Sequence, residues 1–372
     1  MTTEVTFETA TLADSIRKAA AIAPARAGDS FDKAAGIIIE VYPGYDQIII
    51  RATDLLLFYM EWIDSLEASG DAVRWRVPAK VFEAIISALP IGSGRTVTLK
   101  QEGGTLKITS GRAGASLRLI RIDDYPEWYP FETDNLKTVA ELGARIAQAE
   151  WAAAKDVPAL GIRFTGNHIL ATDRYRLVQV PLDLDTSEAI TIPPSVLSTF
   201  LKKVGETRIG IDSTHFLVMP DDHTQVKAIR IGDKFPPIEK VMRSDYPQQI
   251  KFRKQEIMDI VNRATKIGAD RFPVCQLILG LEEIAAFMSE DELGYIGDVV
   301  ELPGQAIHDR CSIRIHPQNF IDALSYAPSE EVILYYDKDE PRKTLLKIDG
   351  GSGYLAWLAP RGDVPKGEEI SK

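Results

Sequence analysis

The sequence has few cysteines, no long apolar run and an excess of negative charge, and each of these excludes a class of protein. Cys275 and Cys311 are the only two cysteines among 372 residues, too few for a disulfide framework and too isolated for a zinc site. Both are expected to be reduced and buried. No apolar stretch approaches the roughly 20 residues that cross a bilayer, and the amino-terminal stretch is acidic where a secretory signal is basic. We expect a cytoplasmic protein with no membrane partner.

Motifs of catalysis and metal binding are also missing. The formal net charge of -11 argues against adhesion of the whole surface to nucleic acid, although it is compatible with a local basic face. The sequence has no G-x-S-x-G and no Walker segment. The histidines lack the spacing of a metal site: His168, His215, His223, His308 and His316. We therefore predict no catalytic residue, no metal and no cofactor.

Two segments that could suggest chemistry fit turns better. Asp221-Asp222-His223 could form a metal or acid–base cluster, but it follows a proline and precedes a strand. Gly350-Gly351-Ser352-Gly353 resembles a phosphate-binding loop, but no helix with a lysine follows it. Both are predicted to be hairpin tips.

The sequence does contain a repeated segment. Ala52-Thr53-Asp54 recurs as Ala171-Thr172-Asp173 about 120 positions later, roughly one domain length. An apolar, β-branched run precedes each copy, and threonine and aspartate side chains hydrogen-bond their own backbone. Each copy therefore predicts a strand that enters a turn.

The order of elements also repeats, three times along the chain. Apolar residues at helical spacing predict a first helix in each repeat, over residues 11–23 with Thr11 as its cap, over 135–155 and over 253–269. A second, proline-led helix follows in each repeat, with Val81 also facing inward in the first. Strands fill the intervals, which predicts an α+β repeat architecture with domains at 1–128, 129–249 and 250–372 and a polar tail from about residue 361. Aligned apolar positions recur in the second helices: Phe82, Leu197 and Phe320, then Ile86, Leu201 and Leu324.

Four features together carry a resemblance to a known family. They are the three α+β repeats, the proline-led second helices, the closing segments Asp123-Asp124-Tyr125-Pro126 and Asp233-Lys234-Phe235-Pro236, and the segment Thr172-Asp173-Arg174-Tyr175-Arg176-Leu177. The chain resembles the β subunit of bacterial DNA polymerase III, the sliding clamp, over nearly its whole length. That family usually has Thr-Asp-Gly-His-Arg-Leu in the last segment, so Arg174 and Tyr175 indicate a divergent member, bacterial or phage-encoded.

The resemblance implies the DNA clamp fold and a processivity factor. Two subunits of three domains would join head to tail in a ring, with helices lining the hole and antiparallel sheets outside. This homodimer would encircle double-stranded DNA without sequence preference, because it would contact phosphates rather than bases. It would tether the DNA polymerase and receive the clamp loader through short linear motifs, and no residue would perform chemistry.

The resemblance also assigns residues to three surfaces. The partner-peptide pocket comprises Thr172, Arg174, Tyr175, Arg176, Leu177, Val241, Met242, Leu355 and Leu358. Cations on the solvent-exposed faces of the helices are expected to face DNA, and acidic residues among them reduce the positive charge of this lining. The expected cations are Arg17, Lys18, Lys80, Arg145, Lys155, Lys202, Lys203, Arg263 and Lys266. The dimer interface is expected to join Leu117 and Leu119 to Ile267. Arg174 and Tyr175 are expected to narrow the pocket and change which peptides fit.

Two alternatives stay open. A clamp-fold interaction protein could bind replication partners without encircling DNA, if the dimer interface were lost. An enzyme could assemble its site from scattered residues such as Asp54 and Asp173, but equivalent repeat positions fall in separate domains, too far apart to share a proton.

Overall fold

The computed structural model describes most of the chain as helices, strands and their connections. The described residues are 2–24, 33–127, 136–154, 161–193, 197–201, 204–232, 235–238, 241–266, 273–280, 282–290, 294–304 and 310–361. Within them the helices are α1 (Thr9–Ile22), α2 (Ala79–Ser87), α3 (Leu142–Glu150), α4 (Leu197–Leu201), α5 (Lys254–Ala264) and α6 (Pro317–Ser325). The strands are β1 (Glu4–Glu8), β2 (Ile37–Val41), β3 (Gln47–Thr53), β4 (Leu57–Asp64), β5 (Glu67–Ser69), β6 (Val73–Val77), β7 (Thr96–Glu102), β8 (Thr105–Ser110), β9 (Ala113–Arg118), β10 (Lys137–Ala140), β11 (Ile162–Thr172), β12 (Arg176–Ile192), β13 (Glu206–Ile211), β14 (His215–Met219), β15 (Thr224–Ile229), β16 (Gln248–Arg253), β17 (Cys275–Gly280), β18 (Glu283–Glu290), β19 (Gly294–Glu301), β20 (Cys311–Ile315), β21 (Glu331–Tyr336), β22 (Leu346–Asp349) and β23 (Leu355–Leu358).

The chain divides into two compact units. Unit 1 comprises Met1–Ala144 and Ser195–Arg230, and unit 2 comprises Arg145–Pro194 and Ile231–Lys372. Unit 1 has two antiparallel sheets, ordered β5-β1-β7-β8-β9 and β10-β13-β14-β15-β4-β3-β2-β6. Helices α1 and α2 pack against each other, and α1 also packs on β3 and β4. The core of unit 1 therefore lies between paired helices and sheet, as in other α+β folds.

Unit 2 repeats this plan. Its sheets are ordered β11-β12-β23-β22-β21-β16 and β19-β18-β17-β20. Helices α5 and α6 pack against each other, and α5 also covers β18 and β19. Amphipathic faces explain this arrangement, because in α5 the buried residues Ile257, Ile260, Val261 and Ala264 recur at helical spacing.

The middle repeat contributes to both units through sheet pairing. In unit 1, β15 pairs antiparallel with β4, which joins a strand of the second repeat to one of the first. In unit 2, β12 pairs antiparallel with β23, which joins the second repeat to the third. Hydrogen-bonded strands across each repeat boundary make the compact units differ from the sequence repeats, and the three-domain division at 1–128, 129–249 and 250–372 stays a prediction.

Each first helix of a repeat is preceded by a short strand. Strand β1 precedes α1, β10 precedes α3 and β16 precedes α5. The predicted helix over 135–155 is therefore wrong in its first part, since β10 pairs with β13 and α3 begins at Leu142. Glu141 separates them with a φ of 53°, a left-handed conformation that no residue type in this stretch predicts.

The second helices agree with the sequence prediction at their aligned positions. Phe82, Leu197 and Phe320 are buried within α2, α4 and α6, and so are Ile86, Leu201 and Leu324. Two details were wrong: Val81 is 51% exposed, and α1 begins at Thr9 rather than after a Thr11 cap. The predicted end of the third repeat's first helix, beyond residue 266, lies outside the described residues.

The predictions for the two cysteines and for the two turn segments are confirmed, while the predicted polar tail lies, beyond Arg361, outside the described residues. Cys275 and Cys311 are free and buried, and burial raises the pKa of their thiols to about 12 and about 11. Asp221-Asp222-His223 lies exposed in the turn between β14 and β15, and residues 350–353 form the turn between β22 and β23. Among the described residues, no helix is long and apolar enough to span a bilayer.

Candidate binding groove

The turn between β11 and β12 is held by two side chains of the repeated segment. The Thr172 hydroxyl donates to the Arg176 carbonyl at 2.7 Å and accepts from the Arg174 amide at 3.1 Å. The Asp173 Oδ1 atom accepts from the amides of Tyr175 and Arg176, at 2.9 Å each. Threonine and aspartate are thus required here because they satisfy four backbone groups of a tight turn.

The turn between β3 and β4 is a copy of this one. The Thr53 hydroxyl bonds the Leu57 carbonyl at 2.7 Å and the Leu55 amide at 2.9 Å, and Asp54 accepts from the amides of Leu56 and Leu57. Leu55 and Arg174 occupy equivalent positions, with φ values of 73° and 81°. The sequence repeat is therefore a structural repeat, down to a left-handed residue at its third position.

This backbone position predicts a measurable difference between two substitutions. Arg174→Gly is expected to be more stable than Arg174→Ala by about 1 kcal/mol, because alanine retains the unfavourable φ and glycine does not. Both variants lose the arginine side chain, so their difference isolates the backbone. Urea denaturation of the two proteins measures it, and equal free energies of unfolding would contradict a strained turn.

Beside the β11–β12 turn lies an apolar groove with a volume of about 190 Å³. Leu170, Leu177, Ile238 and Trp357 form a buried cluster beneath it. Strand pairing sets Leu177 opposite Trp357 across β12 and β23, so the floor is fixed by backbone hydrogen bonds as well as by packing. The groove is lined by Thr172, Arg174, Tyr175, Arg176, Leu177, Pro236, Pro237, Ile238, Val241, Leu345 and Trp357. A concave apolar surface with a few polar groups is typical of a ligand site.

Most of the predicted pocket residues converge here. Six of them line the groove: Thr172, Arg174, Tyr175, Arg176, Leu177 and Val241. Met242 and Leu355 pack against the buried cluster, while Leu358 is buried and lies outside the lining. Sequence reasoning missed Pro236, Pro237, Ile238, Leu345 and Trp357. The Pro-Pro pair after Phe235 was a readable signal of a rigid wall, whereas Leu345 and Trp357 arrive through strand pairing that the sequence does not reveal.

Arg176 connects the turn to helix α6. Its Nε atom donates to Asp173 at 2.9 Å, and Nη1 lies 3.3 Å from both Asn319 Oδ1 and Asp322 Oδ2. Its guanidinium also lies over the Trp151 ring, 5.4 Å from the centroid. An arginine with this many partners acts as a rigid link rather than a mobile charge.

His316 caps helix α6 on the same side. Its Nδ1 atom accepts from the Asn319 amide at 3.4 Å. Burial lowers the pKa of His316, and the nearby Arg361 and Arg176 guanidinium groups lower it further. The ring is therefore kept in the neutral form that can accept this hydrogen bond.

The cations predicted to face DNA have varied surroundings. Lys155, Lys202 and Lys203 lie outside the described residues, and Lys266 is exposed just after α5. Four others bond a neighbouring side chain: Arg17 to Asp14, Lys80 to Glu83, Arg145 to Gln148 and Arg263 to Asp298. Three of these partners are carboxylates and Gln148 is an amide, and exposed pairs of this kind contribute about 1 kcal/mol at most.

Lys18 differs from the other cations. Its ammonium pairs with Glu61 of β4 at 2.8 Å and with Asp14 at 2.9 Å. Burial lowers the pKa of Lys18, but the hydrogen bonds and charges of these two carboxylates outweigh it and the net pKa is raised. Two compensating carboxylates favour a role within unit 1 over contact with DNA.

The residues predicted for the dimer interface lie near sheet edges. Leu117 is buried in β9, Leu119 is half-buried just beyond it, and Ile267 lies outside the described residues. Strand β9 ends its sheet, and so does β19, which α5 covers. Tyr295 and Val299 of β19 are 73% and 47% exposed. Among the described residues, each of these two strands therefore has one edge without a neighbouring strand.

The residues considered for catalysis have structural partners. The Asp54 and Asp173 carboxylates each accept hydrogen bonds from their own turn. Burial raises the pKa of Asp54, against the opposing effect of those backbone hydrogen bonds. Within the described part of the chain, no group of three or more His, Cys, Asp or Glu residues could hold a metal ion.

The chain has the fold of the DNA sliding clamps. This fold combines antiparallel sheets joined across repeat boundaries with paired helices, and here a groove lies beside the second Thr-Asp turn. The β subunit of DNA polymerase III from Thermotoga maritima matches with a TM-score of 0.84 at 20% sequence identity, over 97% of this chain and 100% of that chain. The DnaN sliding clamp of Bartonella birtlesii, solved bound to griselimycin, matches with a TM-score of 0.86 at 17% identity, over 98% and 100%. A putative β subunit from Eubacterium rectale gives 0.83 at 19% identity, over 97% and 100%.

These matches confirm the predicted α+β clamp fold. No family model matches the sequence, and no curated protein matches it either. The resemblance to the clamps is thus one of fold over nearly the whole chain, with a sequence that has diverged widely.

Proposed function

We propose that this chain is a DNA sliding clamp, a cytoplasmic, non-enzymatic processivity factor. Two copies join head to tail, encircle duplex DNA and tether a polymerase and other partners. The observation that carries the proposal is the full-length likeness to DNA polymerase III β subunits, with TM-scores of 0.80 to 0.86. Processivity then comes from topological linkage, so weak phosphate contacts that permit sliding are sufficient.

The groove supports the tethering part of the proposal. It is apolar, beside a buried cluster, and bordered by rigid elements: a hydrogen-bonded turn and a Pro-Pro segment. Such grooves hold short linear motifs through a few buried anchors. We assign the polymerase and the clamp loader to this groove, and DNA to the exposed cations of the helices such as Arg17 and Lys80.

The edge strands support the dimer part of the proposal. In our proposal, β9 of one subunit pairs with β19 of the next, which brings Leu117 and Leu119 towards the end of α5 and Ile267. A strand paired in this way satisfies the backbone groups that an exposed edge leaves open, and buries Tyr295 and Val299. The head-to-tail contact occurs twice, so the ring closes.

Light scattering over a dilution series tests the dimer. The particle in solution is expected to have twice the mass of one chain, which is 41.2 kDa. The variant Tyr295→Glu/Val299→Glu is expected to be a monomer because it places charge in the proposed interface. Tyr45→Glu, at an exposed tyrosine in the β2–β3 turn, is the matched control and should remain dimeric. A dimer justifies loading assays on nicked circular DNA. A persistent wild-type monomer would overturn the ring and favour a clamp-fold interaction protein that does not encircle DNA.

A further inference from the structure

Two arginines border the groove at Tyr175, and neither has a carboxylate partner among the described residues. Arg174 lines the groove and is exposed, and its guanidinium makes no ion pair or hydrogen bond to any residue that the structure describes. The Arg361 guanidinium lies over the Tyr175 ring, 5.9 Å from the centroid, and is likewise without a carboxylate partner in the described ranges. The Ala359 amide donates to the Tyr175 carbonyl at 2.7 Å, which fixes the chain before Arg361 beside the turn.

Four carboxylates near the groove are already paired with two other arginines. Asp173 and Asp322 pair with Arg176, and Asp337 and Asp245 pair with Arg243. Arg174 and Arg361 therefore keep guanidinium groups that no carboxylate of the described residues engages.

The copy of this turn in unit 1 shows that its geometry does not call for an arginine. A residue with a φ of 81° would be least strained as glycine, yet an arginine occupies the position. The equivalent Leu55 has a similar φ of 73°, so the turn tolerates a residue other than glycine at this position. The equivalent Leu55 in unit 1 carries no charge, so the turn itself does not require a cation.

We propose that the groove takes a peptide segment whose apolar anchors are flanked by carboxylates, and that Arg174 and Arg361 receive those carboxylates. The inference rests on the proposed function and names the chemistry of the partner motif. Guanidinium groups bind carboxylates through paired hydrogen bonds. Because both arginines are at least partly exposed, the contribution is moderate and sensitive to salt.

Two labelled peptides test the proposal by fluorescence anisotropy with the full chain. Both have the same leucine and phenylalanine anchors; one has two flanking aspartates and the other two asparagines. Wild type is expected to bind the aspartate peptide about fivefold to tenfold more tightly, and the preference should shrink as salt rises from about 50 to about 200 mM. In Arg174→Gln/Arg361→Gln the two affinities should agree within about twofold.

Controls separate the inference from the proposed function. Lys251→Gln removes one exposed cation from β16 and should keep the wild-type preference. The double arginine variant should bind the asparagine peptide as wild type does, which shows that its groove is intact. Equal binding of both peptides by wild type, or a preference that persists in the double variant, would overturn the inference and leave the groove assignment standing. Binding of neither peptide would overturn the groove assignment as well.

Residues 362–372 follow Arg361 and include Asp363, Glu368 and Glu369, so they are the competing occupant. A chain that ends at Arg361 should bind the aspartate peptide with the affinity of the full chain. A tenfold gain on truncation would assign the groove to this segment and overturn the assignment to a partner.

Discussion

Trp357→Ala is expected to lower the free energy of unfolding of unit 2 by about 3–5 kcal/mol and to abolish peptide binding in the groove. Trp357 is fully packed in the cluster with Leu170, Leu177 and Ile238. Removing its ring leaves a cavity under the groove that strand pairing prevents from collapsing, because β23 is hydrogen-bonded to β12 on one side and β22 on the other. Peptide binding and the stability of unit 2 should therefore both decrease in this variant.

The matched variant is Trp357→Phe, which keeps an aromatic ring and should lose about 1.5 kcal/mol or less. Urea denaturation followed by circular dichroism gives the stabilities, with the transition of each unit fitted separately because two compact units can unfold in separate steps. Anisotropy with an apolar-anchored peptide gives the binding. Wild-type affinity in Trp357→Ala would contradict the placement of the peptide site.

Arg176→Ala is expected to cost about 2 kcal/mol and to weaken peptide binding about tenfold. The side chain is only 17% exposed, and its removal leaves Asp173 and Asp322 without their cation. Asp173 also holds the turn through two backbone amides, so repulsion or reorientation there should displace the wall of the groove. The loss of the Trp151 contact adds to the effect.

Arg176→Lys distinguishes charge from geometry. Lysine restores one positive charge but cannot reach Asp173, Asn319 and Asp322 with a planar fork, so about half of the stability loss should remain. Urea midpoints and peptide affinities should therefore be highest for the wild type, intermediate for Arg176→Lys and lowest for Arg176→Ala. An Arg176→Ala protein with the wild-type midpoint would show that the link to α6 carries no stability.

The sequence by itself determined the features that depend on local chemistry. The Thr-Asp turns followed from side chains that satisfy their own backbone, and the second helices from proline at the start and apolar residues at helical spacing. The repeat also predicted which buried positions are equivalent, such as Phe82 in α2 and Phe320 in α6. Because each repeat must bury the same faces, its pattern survives even where only about a fifth of the residues match the solved clamps.

Tertiary structure alone decided the features that depend on residues distant in the chain. A short strand such as β10 is compatible with helical spacing, and its pairing with β13 overrides that preference. The far side of the groove was hidden for the same reason, since Trp357 reaches Leu177 only through the β12–β23 ladder. Spacing along the chain reports which residues share a face, whereas sheet pairing across a repeat boundary decides which faces meet.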